Sequence, residues 1–115
     1  GVKEGNPNVV KWTLPAKQDL RQVYDYIASD SKFYAQKVAD EIIEKSDTLK
    51  LFPEIGRVVP EIGNPHTREV IVYSYRLVYE VSGKNIEVLA LIHAKRNFMS
   101  QFEMSPKKGQ TKKSV

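Results

Sequence analysis

The chain has 115 residues, 28% of them charged, and a formal net charge of +4 from 18 Lys and Arg against 14 Asp and Glu. That length suits one domain whose core holds without cross-links, and the lack of cysteine removes disulfides, thiolate zinc sites and cysteine nucleophiles at once. No apolar run approaches the roughly 20 residues that span a bilayer, and the start lacks the apolar centre of an export signal, so a soluble protein of a reducing cytoplasm with no membrane partner is expected.

Lys107, Lys108, Lys112 and Lys113 all follow the last acid, Glu103, and without them acids and bases balance. The excess charge thus belongs to a basic end, residues 105–115, and the body, residues 1–104, reads as a single neutral domain. Ser105 to Ser114 has no apolar side chain to bury and is expected to be disordered. A solubilising end and a nonspecific nucleic-acid contact are both open readings of it.

From Asn8 to Thr13, the residues Val9, Val10 and Trp12 predict a short strand. Thr13 is placed to cap a helix with Pro15 in its first turn, where a missing N–H is harmless. Ala16, Leu20, Val23, Tyr24 and Ile27 draw one apolar stripe along that helix, with Asp19, Arg21, Gln22 and Asp25 toward water. Asp30 or Ser31 caps a second helix, whose stripe is Ala35, Val38, Ala39, Ile42, Ile43 and Leu49, and Pro53 stops it. The short connection makes the two an antiparallel hairpin. From Glu54 to Thr67 runs a loop broken by Gly56, Pro60, Gly63 and Pro65, long for so small a domain and therefore a candidate for function.

Three strands are predicted at Arg68 to Tyr73, Tyr75 to Ser82 and Ile86 to His93. Gly83-Lys84 has the glycine where a type II′ turn needs it. The turn sets a register that pairs Val81 with Ile86, Tyr79 with Val88, Leu77 with Ala90 and Tyr75 with Ile92. One face is then wholly apolar and aromatic and packs on the helices, while Arg76, Val78, Glu80, Glu87, Leu89, Leu91 and His93 share the open face. The expected fold is α+β, order β-α-α-β-β-β, with a helical hairpin on one face of an antiparallel sheet.

Four of the five arginines, Arg57, Arg68, Arg76 and Arg96, lie on this loop and sheet. A guanidinium is planar, always charged and shaped to grip phosphate or carboxylate in pairs. The register sets Arg76 diagonally beside His93. With Arg96 they form a candidate catalytic set for a phosphodiester, the histidine moving a proton and the arginines holding the pentavalent phosphate, assisted by Glu61, Glu69 or Tyr73. No cofactor is called for, and no metal: attack by an RNA's own 2′-hydroxyl needs none, and no carboxylates or histidines fall at ligand spacing. The same residues have structural readings. Arg76 can pair with Glu80 or Glu87, a strand-end histidine is often solvated, Arg57 can pin the loop, and Tyr24, Tyr26, Tyr75 and Tyr79 fit packing better than base stacking.

Ala16-x-x-Asp19-Leu20 with Tyr26-Ile27, then Leu51-Phe52-Pro53-x-x-Gly56-Arg57-x-x-Pro60-Glu61, Arg68-Glu69, Tyr75-Arg76-Leu77-Val78-Tyr79 and His93-x-x-Arg96 together resemble the RelE/ParE superfamily of bacterial toxins. The resemblance runs from about Val9 to Phe98 and implies the same β-α-α-β-β-β fold. It implies the toxin of a type II toxin-antitoxin module, a growth inhibitor held inactive by a cognate antitoxin in a hetero-oligomer. RelE-like members are metal-independent ribonucleases that cut mRNA on the ribosome, whereas ParE-like members poison DNA gyrase. Arg76 matches the arginine of the family's Tyr-Arg-Leu-Val-Tyr strand, and Arg96 matches the one after the last strand. The lysine pair of the ribonucleases is absent, Thr67 and Glu69 standing at those positions, and no tyrosine follows Arg96. The Gly56-Arg57-x-x-Pro60-Glu61 loop and His93-x-x-Arg96 look ParE-like. The expectation is a ParE-like toxin acting on DNA gyrase, with Arg57, Glu61, Arg68, Glu69 and Tyr73 touching the target. A ribosome-dependent mRNA endonuclease with Arg76, His93 and Arg96 as catalytic residues is the alternative, so whether the chain is an enzyme stays open.

Overall fold

The computed structural model describes residues 8–95, so Arg96 and the basic end lie outside the described residues. The elements are β1 (Val9–Trp12), α1 (Leu14–Ala28), α2 (Lys32–Thr48), β2 (Arg57–Val58), β3 (Thr67–Val72), β4 (Tyr75–Ser82) and β5 (Asn85–His93). They form one five-stranded sheet in the order β1-β5-β4-β3-β2, with both helices on one face. The α+β fold, the helical hairpin and the β3–β5 meander are as expected. Two features are additional: the short β2 inside the long loop, and a mixed rather than wholly antiparallel sheet, because β1 runs parallel to β5.

Thr13 joins the strand to the helix. Its side-chain oxygen accepts from the Ala16 N–H at 3.3 Å, capping α1, and donates to the Val88 carbonyl at 2.8 Å. Ser31 caps α2 in the same way through the Tyr34 N–H at 3.1 Å. The stripes of both helices meet Leu77, Tyr79, Ile86, Val88 and Leu91 of the sheet in the main core. Ile43, expected in that stripe, is instead 42% exposed. The neighbouring Ser46 is the buried one, and it accepts the indole N–H of Trp12 at 3.2 Å, so a buried polar pair takes the place of a purely apolar contact.

The Gly83-Lys84 turn forms with positive φ at the glycine, and Val81 pairs with Ile86 and Tyr79 with Val88 as predicted. Beyond that the predicted register is overturned. A bulge leaves Leu89 unmatched, so Val78 pairs with Ala90, Leu77 with Leu91, Arg76 with Ile92 and Tyr75 with His93. The bulge lies where β1 ends. There the Thr13 N–H and hydroxyl both engage the Val88 carbonyl, and Asp19 of α1, expected to face water, accepts the Leu91 N–H at 3.0 Å. The one-residue slip exchanges faces: Leu91 joins the core under the helices, and Ala90 and Ile92 go to the other side.

That other side is not open. The loop after β2 crosses it, and Val59 is fully buried against Val78, Ala90 and Ile92 in a second, smaller core. Burial of such a side chain stabilises by about 1.5–3 kcal/mol, which holds the loop against the sheet. Tyr79 fixes the loop's start from beneath, donating its hydroxyl to the Pro53 carbonyl at 2.8 Å and accepting the Gly56 N–H at 3.0 Å. A Cβ at Gly56 would stand 2.5 Å from the Glu69 carbonyl oxygen, so only glycine permits this approach.

Candidate functional site

On β3 and β4, Glu69 pairs with Val78 and Ile71 with Arg76, which puts Glu69 and Arg76 side by side on the loop-covered face. The Arg76 Nε donates to Glu69 at 2.6 Å. Its Nη1 and Nη2 donate to the two carboxylate oxygens of Glu61, from the loop, at 3.1 and 2.9 Å. Arg57 of β2 donates to the second oxygen of Glu69 at 2.6 Å. The Glu69 side chain has no exposure and that of Arg76 only 8%, whereas Arg57 is 66% exposed. The order Arg57–Glu69–Arg76–Glu61 thus alternates in sign across the face, and its formal charges cancel. The hydrogen bonds from Arg76 hold the Glu61 carboxyl below its ordinary range, and Glu61, then Glu69, raises the Arg76 guanidinium above its own.

Three residues assigned to target contact, Arg57, Glu61 and Glu69, therefore converge, but on one another and on Arg76. The alternative pairing of Arg76 with Glu80 or Glu87 gives way to this one, because Glu69 and Glu61 reach the guanidinium first. Arg68 stands apart. It donates to the carbonyls of Pro65 and Gly56, both at 2.9 Å, and so braces the loop. Tyr73 occupies the β3–β4 turn with a left-handed φ of 56° and meets the ring of Tyr34 on α2 edge to face at 6.4 Å.

His93 does not join Arg76. The bulge turns it to the helix side, where its ring lies edge-on to Tyr75 at 5.4 Å and its Nδ1 accepts the Lys95 N–H at 3.2 Å. It lines a groove of about 450 Å³ with Asp19, Gln22, Tyr26 and Tyr75. The expected set of Arg76 and His93 on one surface is thus undone: strand neighbours opposite Ile92 and Tyr75 project to opposite faces. Arg96, the third member of that set, lies outside the described residues. Of the tyrosines read as packing, Tyr79 is buried and Tyr26 is 78% exposed. Among the described residues no three His, Asp or Glu side chains converge as metal ligands.

What sequence reasoning missed is Asp19 as the acceptor for the β5 edge and Glu61 as the partner of Arg76. The signal for Glu61 was its place on a punctuated loop next to a proline. Asp19 stood in the Ala16-x-x-Asp19-Leu20 motif, but nothing local pointed to its partner, 72 residues away.

Residues 10–98 match the family model described as ParE toxin of type II toxin-antitoxin system, parDE. Toxin RelE2 of Caulobacter vibrioides is 33% identical over 88 residues, 76% of this chain and 96% of that relative. Among solved structures, the chromosomal ParDE toxin-antitoxin system of P. aeruginosa aligns with a TM-score of 0.65 and 25% identity, over 76% of this chain and 97% of that one. The toxin-antitoxin complex RelBE2 of Mycobacterium tuberculosis shares the fold, with a TM-score of 0.56 and 19% identity over 76% of this chain and 99% of that one. With the family matched from residue 10 to 98 and a relative one-third identical, the chain belongs to the ParE toxin family of type II toxin-antitoxin systems.

Proposed function

We propose that this toxin arrests growth by binding DNA gyrase, as ParE-like members do, rather than by cutting RNA. The observation that carries this reading is the state of Arg76. Each of its guanidinium nitrogens already faces a carboxylate oxygen of this chain, and His93 is on the far side of the sheet. Phosphodiester cleavage needs a proton-moving group and a charge-holding group at one reacting phosphate. These two residues do not share such a point. A neutral, charge-paired surface suits specific contact with a large protein better than a general hold on nucleic acid.

The test is supercoiling of relaxed plasmid by purified gyrase, titrated with the purified toxin. Inhibition with trapped cleavage complexes is the expected result, and full supercoiling at large excess of toxin refutes the gyrase reading. The ribonuclease reading keeps one observation in its favour, the relative that carries the RelE name.

A cognate antitoxin is the second proposed partner, in a toxin-antitoxin hetero-oligomer, and the surface supports it. Phe33, Tyr34 and Ile43 stand exposed along α2, and Ile71 is 53% exposed on β3. Among the described residues β2 pairs only with Arg68 and Glu69, so the rest of the outer edge of β3 has no strand beside it. A segment that folds on binding can cover exposed apolar side chains of α2 or add to that edge.

A further inference from the structure

The segment after β2 lies on the sheet through two side chains. Val59 fills the apolar floor of Val78, Ala90 and Ile92, and Glu61 closes on Arg76 with both carboxylate oxygens, at 2.9 and 3.1 Å. Beneath them Glu69 is buried and has a second cation in Arg57. Arg76 and Glu69 are fixed in paired strands. Glu61 is in no strand: it sits in a turn closed by the Val59 carbonyl, which accepts the Ile62 and Gly63 N–H groups at 3.1 and 2.8 Å, and its own side chain is 30% exposed. With Glu61 in place the four charges cancel. With the Glu61 side chain swung out, Arg57 and Arg76 exceed Glu69 by one positive charge, and the two Nη–H groups that Glu61 accepts from can turn to another carboxylate.

We propose that Glu61 is an internal stand-in for an acidic side chain of a protein partner: its side chain swings out while Val59 stays seated in the second core, and the partner's carboxylate takes the same two-oxygen seat on Arg76. The seat is already shaped for a planar, singly charged carboxylate, so the exchange preserves both geometry and charge. A nucleic-acid strand fits less well. It would lay several phosphates along a face that also carries Glu69 and, directly opposed across β4 and β5, Glu80 and Glu87. The inference stands on the ion-pair geometry and holds whichever large protein the toxin engages.

A tethered carboxylate competes at an effective concentration of the order of millimolar, and it lowers the apparent affinity for any outside anion by the fraction of time the seat is filled. Removing Glu61 therefore raises affinity for free carboxylate. The experiment follows the Arg76 Nε–H resonance in the ¹⁵N-labelled full chain as acetate, inorganic phosphate or a short single-stranded RNA is added to the native protein, Glu61→Ala and Glu61→Gln. The expected result is a half-saturating acetate concentration at least about tenfold lower in Glu61→Ala than in the native chain. Glu61→Gln, which keeps the side chain's shape, should shift in the same direction, and neither phosphate nor RNA should be preferred over acetate. No gain in either variant overturns the proposal. So does a gain in which phosphate or RNA binds more tightly than acetate, which would make the seat a phosphate site.

Discussion

Replacing Arg76 by alanine should unfold much of this protein's stability margin, through the charge it leaves behind. Glu69 has a fully buried side chain and two cations, of which Arg57 is 66% exposed and Arg76 only 8%. Without Arg76 the buried carboxylate keeps one solvent-screened partner, and Glu61 loses its own. Breaking a buried pair in this way costs about 3–5 kcal/mol, a large share of the roughly 5–15 kcal/mol that holds a domain together. In a domain of this size each kcal/mol shifts Tm by about 4–8 °C. Arg57→Ala should cost about 1 kcal/mol or less, because Arg57 itself is 66% exposed and the buried Glu69 keeps Arg76. The distinguishing variant is Arg76→Met combined with Glu69→Met, which removes both charges and keeps the volume; it should lie within about 2 kcal/mol of the native protein. Urea unfolding followed by far-UV circular dichroism and by the fluorescence of Trp12 gives all three numbers. An Arg76→Ala cost below about 1 kcal/mol, or a double variant as unstable as the single one, would refute the reasoning. Loss of toxicity in Arg76→Ala is consequently no sign of catalysis unless the variant is shown to be folded.

Gly56→Ala should destabilise by about 1–3 kcal/mol, read as a lower Tm, because its Cβ would meet the Glu69 carbonyl oxygen at 2.5 Å and the Tyr79 hydroxyl at 2.7 Å. Asp19→Ala should cost about 1–3 kcal/mol by leaving the Leu91 N–H without its acceptor, while Asp19→Asn, which can still accept, should cost less; equal losses would contradict that role. Arg76 lowers the Glu61 pKa from its ordinary 4.5, so the stabilisation by Glu61 is complete above that value and fades as the pH falls through the folded one. The urea midpoints of native protein and Glu61→Gln should therefore differ at neutral pH and converge in acid. A gap that persists in acid would mean that the Glu61 charge is not the cause.

The elements were legible because most carry their own punctuation, Thr13 and Ser31 as caps and Gly83-Lys84 as a turn, although α2 ends at Thr48, ahead of the stop expected at Pro53. The face that each strand residue takes was legible only as far as the alternation lasted. Val88-Leu89-Ala90-Leu91-Ile92 is apolar throughout and packs on both sides, so a one-residue slip leaves no trace in the pattern. That slip is what separates His93 from Arg76. The long loop was read as a candidate for function, but the surface it packs on was not legible, since Val59 and Glu61 gain their meaning only from Val78, Ala90, Ile92 and Arg76 on other elements. An arginine on a sheet face signalled an anion, and the anion is in the same chain.

The central claim, a toxin that binds its target and does not cut RNA, is tested most directly by mapping transcript 5′ ends in cells arrested by the full-length protein without an antitoxin. This account predicts growth arrest with 5′ ends unchanged from those of unarrested cells. New ends clustered within translated codons, appearing before growth stops, would contradict it.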